Sequence, residues 1–303
     1  MVKKMAQRKV AIVTCAAADI PPELEEKYQI TIVPVLLNFE DKSYRSYGIE
    51  KGLTWDEFYK LTEKEVPSTA IPGPGHFAKS FEAAFKLADS VIVIFISKKM
   101  SGMYNTAVKV AEQYFKDKDI SIFNGGVSCV GTAALVLECC KMAEQGKSKD
   151  EIVDKLEEWI PNANYSGIIN TLDNLVKTGR LTRVKKFFAD ILKFKPVLGY
   201  VDDELHVYGN IRADDELIIN QMKKFGKKAI EGIHPGTSTL LVNHSRWPEA
   251  GNEIANYLRD LPNHNVEIIV QETGVINSFY TGKKLLALGY IGKYDHQWLM
   301  DTK

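Results

Sequence analysis

A chain of 303 residues is long for a single core, so two domains are expected. Its 39 Lys and Arg balance its 39 Asp and Glu, which leaves no basic excess for a broad nucleic-acid footprint. Hydrophobic residues make up 45%, enough for substantial cores, and the basic start MVKKMAQRKV leads into an apolar run read as neither signal peptide nor membrane span.

In chain order, Val10–Thr14 reads as a β run and Ile20–Tyr28 as a helix, with Asp19 as N-cap and Pro21-Pro22 in its first turn. Ile30–Leu37 is expected as one apolar strand and Ser43–Tyr47 as a short polar one. Thr54 caps a helix through Thr62, with Glu57 completing a capping box. Gly73-Pro74-Gly75 breaks the chain before a helix over His76–Ala88. Val91–Ile96, the helix Tyr104–Phe115, Ile120–Phe123 and the helix Val130–Ala143 continue the alternation. Strands apolar at every position, separated by helices, indicate a parallel sheet with helices on both faces.

After a helix over Lys149–Trp159, Pro161–Asn164 marks a boundary, giving domains 1–160 and 161–303. Gly167–Ile169 is read as a strand and Thr171–Lys177 as a helix. Lys195–Val201 and Glu204–Tyr208 form a hairpin with an acidic turn, followed by a helix over Arg212–Lys228. Thr239–Asn243, the helix Pro248–Leu258 and Val266–Gln271 complete a mixed α/β sheet. The four cysteines (Cys15, Cys129, Cys139 and Cys140) make no CxxC pair, and the histidines show no H-x-x-x-H spacing. Free thiols in a reducing cytoplasm, and no metal, are therefore expected.

Ligands of open α/β sheets bind beyond the carboxyl ends of the strands. Here those exits are Thr14-Cys15, Ser97–Gly102 and Asn124–Gly126, with the Val66–Pro74 loop nearby. In VIVIFISKKMSGMYNTA the buried run ends in Ser101-Gly102 just before a helix. Two readings stand. Ser101 is an ordinary N-cap, or the helix start with its free amides receives an anion that Gly102 lets approach.

The segment KKMSGMYNTA resembles the LSGTYQSA-type motif of the DegV family, two-domain bacterial proteins that bind long-chain fatty acids. AADIP (Ala17–Pro21), PSTAIPGPGHF (Pro67–Phe77), LVKTGRLT (Leu175–Thr182), LKFKPVL (Leu192–Leu198), GNIRADDELI (Gly209–Ile218) and TLLVNHSRWPEA (Thr239–Ala250) resemble further family segments in the same order. The resemblance implies a fatty acid in a tunnel between the domains, with no cofactor. Its carboxylate would be held by Thr69, Ser101 and the Gly102 amide, with Arg180 and Arg212 near the mouth, and Ser278 is counted with these residues. Some members present the acid to a separate ATP-dependent fatty acid kinase. That partner, transient membrane contact and a non-catalytic role are implied here too.

The chain also departs from the family pattern. Cys15-Ala16-Ala17 stands for Asp-Ser-Thr, Asn124-Gly125 for Asp-Ser, and SFYTG (Ser278–Gly282) for HTGPG. The direct grip is kept while the polar network around it thins, which bears on the kinase step. The alternative is an enzyme using the same cleft for a small carboxylate or acyl substrate, with Cys15 or a recruited histidine as its reactive group. A long apolar tunnel favours the carrier, a compact polar pocket the enzyme.

Overall fold

The computed structural model describes residues 9–46, 53–181 and 194–300. Strand β1 (Val10–Cys15) runs into a 3-10 turn at Ala16–Ala18, and helix α1 covers Pro22–Tyr28. Asp19 does not cap that helix. It is buried with φ +51, and Pro21 takes the N-cap position. The expected strand over Ile30–Leu37 is two strands, β2 (Thr31–Val33) and β3 (Val35–Asn38), which lie in different sheets. Pro34, without an N–H to give to a ladder, stands at the crossing between them.

Strand β4 (Ser43–Ser46) and helix α2 (Trp55–Thr62) follow, and the Thr54/Glu57 capping box is formed as expected. Strand β5 (Ser68–Ala70) completes a three-stranded antiparallel sheet in the order β4-β3-β5. Helix α3 (Pro74–Phe85) begins with Pro74 in its first turn, so the break is also a helix start. Strand β6 (Ser90–Phe95), helix α4 (Met103–Tyr114), strand β7 (Asp119–Asn124), helix α5 (Cys129–Glu144) and helix α6 (Lys149–Trp159) complete the first half. The main sheet here is parallel, in the order β2-β1-β6-β7. Every residue of β1 is buried, which requires cover on both faces.

A 3-10 turn at Ile160–Asn162 leads into strand β8 (Ala163–Ile168) and helix α7 (Asp173–Lys177). Strands β9 (Phe194–Val201) and β10 (Glu204–Arg212) make the expected hairpin. Helix α8 (Asp215–Glu231) starts later than expected because the Asp214 side chain caps it by accepting from Leu217 N at 2.9 Å. Strand β11 (Thr239–His244), helix α9 (Pro248–Arg259), strand β12 (Glu267–Glu272), helix α10 (Val275–Thr281), strand β13 (Leu286–Ile291) and helix α11 (Gln297–Met300) follow. The second sheet is mixed, in the order β10-β9-β8-β13-β11-β12, with β11 and β12 its parallel pair. Tyr47, Thr182, Lys185-Lys186 and Leu192-Lys193 lie outside the described residues.

Helix α5 lies between the two main sheets, packing on β8, β11 and β13 of one and on β1 and β6 of the other. It buries thirteen of its sixteen residues, so it has no solvent face of its own. The approach to β13 is close. A Cβ on Gly289 would lie 2.3 Å from the Val130 carbonyl, and one on Gly131 would lie 2.8 Å from the Asn164 carbonyl oxygen. Helices α8 and α9 pack together on the mixed sheet and enclose a second apolar cluster with it.

Candidate functional site

In the parallel sheet the chain goes from β1 to β2 on one side and to β6 and β7 on the other, so the switch point lies at the exits of β1 and β6. A cavity of about 410 Å³ opens there. Ala17, Ile96, Lys98–Gly102 and Cys129 line it from the parallel-sheet side, and Thr69 and Ile71 from the β5 end. Tyr165, Thr178–Arg180, Leu198, Tyr200, Leu205, Asn277 and Tyr280 line it from the other half of the chain. This size falls within the roughly 300–1,000 Å³ of small-molecule sites.

The loop after β6 is built on Ser97, whose carbonyl accepts from Met100 N at 3.0 Å and Ser101 N at 3.1 Å. Gly102, not Ser101, is the N-cap of α4, and no side chain caps this helix. Ser101 Oγ has no partner among the described residues, and neither do the amides of Gly102, Met103 and Tyr104. The cap reading of Ser101 is therefore set aside. Gly102 has φ −76, open to any residue, and an added Cβ would meet the tip of Ile71 at 2.8 Å. The loop carrying Thr69 thus abuts the start of α4.

Thr69 Oγ1 is hydrogen-bonded to the Tyr280 hydroxyl. The Arg180 guanidinium lies 5.4 Å from the Tyr280 ring centroid and donates to Thr178 O at 2.8 Å. Among the described residues Arg180 is paired with no carboxylate. Four of the six expected site residues, Thr69, Ser101, Gly102 and Arg180, therefore share one cavity. The other two lie off its wall. Ser278 is buried, donating to Thr273 O at 3.0 Å and lying 3.4 Å from Ser245 Oγ. Arg212 is the exposed last residue of β10 rather than the start of a helix.

The hairpin turn closes over the strand exits. Asp202 and Asp203 both have positive φ, 48° and 68°. Ser97 Oγ donates to Asp203 O at 2.5 Å, Asn124 Nδ2 to Asp203 Oδ2 at 2.8 Å, and Lys99 Nζ to Asp202 O at 2.7 Å. An aspartate at 124 would set two carboxylates against each other. The amide instead gives a donor to Asp203 and an acceptor to Lys98 N at 2.8 Å.

A second polar cluster lies behind the cavity wall. Asp19 accepts from Cys129 Sγ at 3.0 Å and from Asn277 Nδ2 at 2.9 Å, while its Oδ1 has no partner among the described residues. Burial pushes this carboxyl up to about 6. Burial first, and then the nearby Asp19 charge, push the Cys129 thiol well above its usual range. Cys15 is pushed up to about 11 by burial. All four cysteines are buried and none forms a disulfide, and no group of described residues has the makings of a metal site. No helix among the described residues is long and apolar enough to cross a membrane.

Sequence reasoning missed Tyr280, Asp19 and Asn277 as parts of this region. Tyr280 and Thr69 are 211 positions apart, and neither has a local signal pointing to the other.

Residues 9–293 match the family model described as "Uncharacterised protein, DegV family". A DegV domain-containing protein of Caldanaerobacter subterraneus is 36% identical over 259 residues, covering 83% of this chain and 91% of that protein. The crystal structure of DegV from Bacillus subtilis, a fatty acid binding protein, superposes with a TM-score of 0.78 at 25% identity, covering 94% of this chain and all of that one (100%). A DegV lipid binding protein from Thermotoga maritima gives a TM-score of 0.77 at 25% identity, covering 94% of this chain and 98% of that one. The chain belongs to the DegV family.

Proposed function

We propose that this protein binds a long-chain fatty acid in the cavity at the switch point, with the carboxylate held by Thr69, Ser101 and the amides at the start of α4. One observation carries the reading. Unpartnered donors stand at one helix start on a wall that also presents aliphatic side chains such as Val35, Ile71, Ile96, Leu198, Leu205 and Ile276. A buried carboxylate is costly unless its oxygens find donors, and these supply them. A 16-carbon chain offers about 14 methylenes at roughly 0.8 kcal/mol each, on the order of 11 kcal/mol before the cost of ordering it. The fatty-acid and lipid binding of the Bacillus subtilis and Thermotoga maritima proteins supports the same ligand class.

In this reading the chain consists of two units meeting near residue 160, with the ligand between them, and it acts in the cytoplasm. The protein itself is a carrier. Burial pushes up the cavity-wall thiol of Cys129 and that of Cys15, which disfavours the thiolate that a cysteine-based enzyme would need. Acyl chemistry falls to a separate ATP-dependent kinase that receives the ligand at the mouth, where Lys98, Lys99 and Arg180 stand. The test is palmitate affinity of Thr69→Ala, Ser101→Ala and the double variant, each checked for folding by thermal melting. Each single change is expected to weaken binding by about five- to a hundred-fold, the equivalent of roughly 1–3 kcal/mol. A folded double variant that binds as tightly as the wild type would refute the carboxylate receptor.

A further inference from the structure

We infer that Tyr280 is a positioning residue of the head-group receptor: its hydroxyl donates to Thr69 and so turns the Thr69 proton toward the ligand carboxylate. The inference rests on the fatty-acid reading and adds to it a residue from SFYTG (Ser278–Gly282), the segment that departs from the family pattern. Tyr280 is brought to Thr69 by α10. Helix α10 packs on α7, and Asn174 Nδ2 of α7 donates to Phe279 O at 2.6 Å. Phe279 is buried in the core while its neighbour Tyr280 lines the cavity. The Tyr280 hydroxyl meets Thr69 Oγ1 there, with the Arg180 guanidinium 5.4 Å from the ring centroid.

The direction of the chain of protons follows from chemistry. The pair holds two hydroxyl protons, and one is used between the two oxygens. The other is left for the ligand. A phenol is a better donor than an aliphatic hydroxyl, and the threonine oxygen is the better acceptor because its lone pairs are not drawn into a ring. A cation at the ring pulls electron density from the phenol and strengthens its O–H as a donor. The favoured order is therefore Tyr280 to Thr69 to carboxylate. Each hydrogen bond in such a chain polarises the next, and the gain is largest when the last acceptor is an anion.

Tyr280→Phe keeps the ring and its place beside Arg180 and removes only the hydroxyl. Its affinity for palmitate and for hexadecanol would be measured alongside the wild type, Thr69→Ala and the Thr69→Ala/Tyr280→Phe pair, with melting temperatures to show that all are folded. Tyr280→Phe is expected to weaken palmitate about three- to ten-fold and to change hexadecanol less than about two-fold. In the Thr69→Ala background the same change is expected to add less than about two-fold, because its route to the ligand is gone. Equal weakening of palmitate and hexadecanol would make Tyr280 a packing residue and overturn the inference. So would unchanged palmitate affinity, or a full further loss in the Thr69→Ala background, which would mean direct contact with the ligand. A wild-type protein that takes up no palmitate would overturn the fatty-acid reading and this inference together.

Discussion

Two helices begin beside the cavity, and they treat their amino-terminal ends differently. The start of α5 has an acid built in. Cys129, its first residue, adopts φ +52 and donates a hydrogen bond from its thiol to the buried Asp19. The start of α4 has no such acid. Its capping residue is a glycine, Ser101 and the first amides have no partner among the described residues, and the surface is half-buried rather than sealed. A helix start favours a negative charge in either case. Where the chain supplies the acid from its own Asp19, the site is closed. Where it supplies none, the site is free for a ligand's acid. Burial raises the proton affinity of Asp19, so the closed end holds a group that changes charge near pH 6.

The contrast would be broken most sharply at Gly102. Gly102→Val should lower palmitate affinity by more than about a hundred-fold, since its side chain would displace Ile71 of the cavity wall and crowd the helix start that receives the carboxylate. Its melting temperature should stay close to that of the wild type, because φ −76 suits any residue and the displaced atom is the tip of Ile71. Isothermal titration and thermal melting would check both halves, and tight binding by the variant would mean that the anion does not sit at α4.

The next effect in size is at the closed end. The Asp19 carboxyl has a folded pKa of about 6, above its ordinary value of 3.8. The folded state therefore binds this proton more tightly, and stability from this group is present below about pH 4 and falls as pH rises toward about 6. Asp19→Asn removes that slope. His244 runs the other way, since burial lowers it from 6.5 to about 4 and stability is lost as pH falls through that window. Wild type minus Asp19→Asn isolates the first group. Between pH 7 and pH 4 that difference should change by about 1–3 kcal/mol in favour of the wild type at the acid end, measured by urea unfolding. A flat difference would show Asp19 to be ionised like a surface acid.

The smallest effect is expected at Arg212, which belongs to neither helix start. It is exposed and paired with no acid among the described residues. Arg212→Ala should change stability by less than about 0.5 kcal/mol, and a melting temperature lowered as far as a core variant's would assign it to the fold.

What could be read from the sequence was what is local or repeated. The capping box at Thr54 and Glu57, the apolar strands and the hairpin around Asp202-Asp203 each carry their signal within a few residues. Strand β13 went unread because Gly289 interrupts it. The glycine is there for the passage of α5, which is visible only once Val130 lies across it. Strand β5 has three residues and gains its form from pairing with β3. Helix α10 is rich in residues that propensity assigns elsewhere, so Tyr280 had no helix to sit on. Ser101 and Gly102 stood out as a strand exit before a helix start, Thr69 and Arg180 came through motif resemblance, and the cavity gathers all four. Ser278 came from the same resemblance, but a segment that differs from its family pattern carries no guarantee of side-chain direction.

The burial of α5 also has a consequence for how the chain assembles. The helix is buried on nearly every side, so the parallel sheet alone leaves half of it uncovered. Its other cover is centred on β13, a strand that enters between β8 and β11 near the end of the described chain. During synthesis the first sheet can form early, but its helix stays half-solvated until Leu286–Ile291 has emerged and slotted in. Either half expressed without the other would present a wide apolar face and aggregate. Completion of the fold therefore waits for its last central strand.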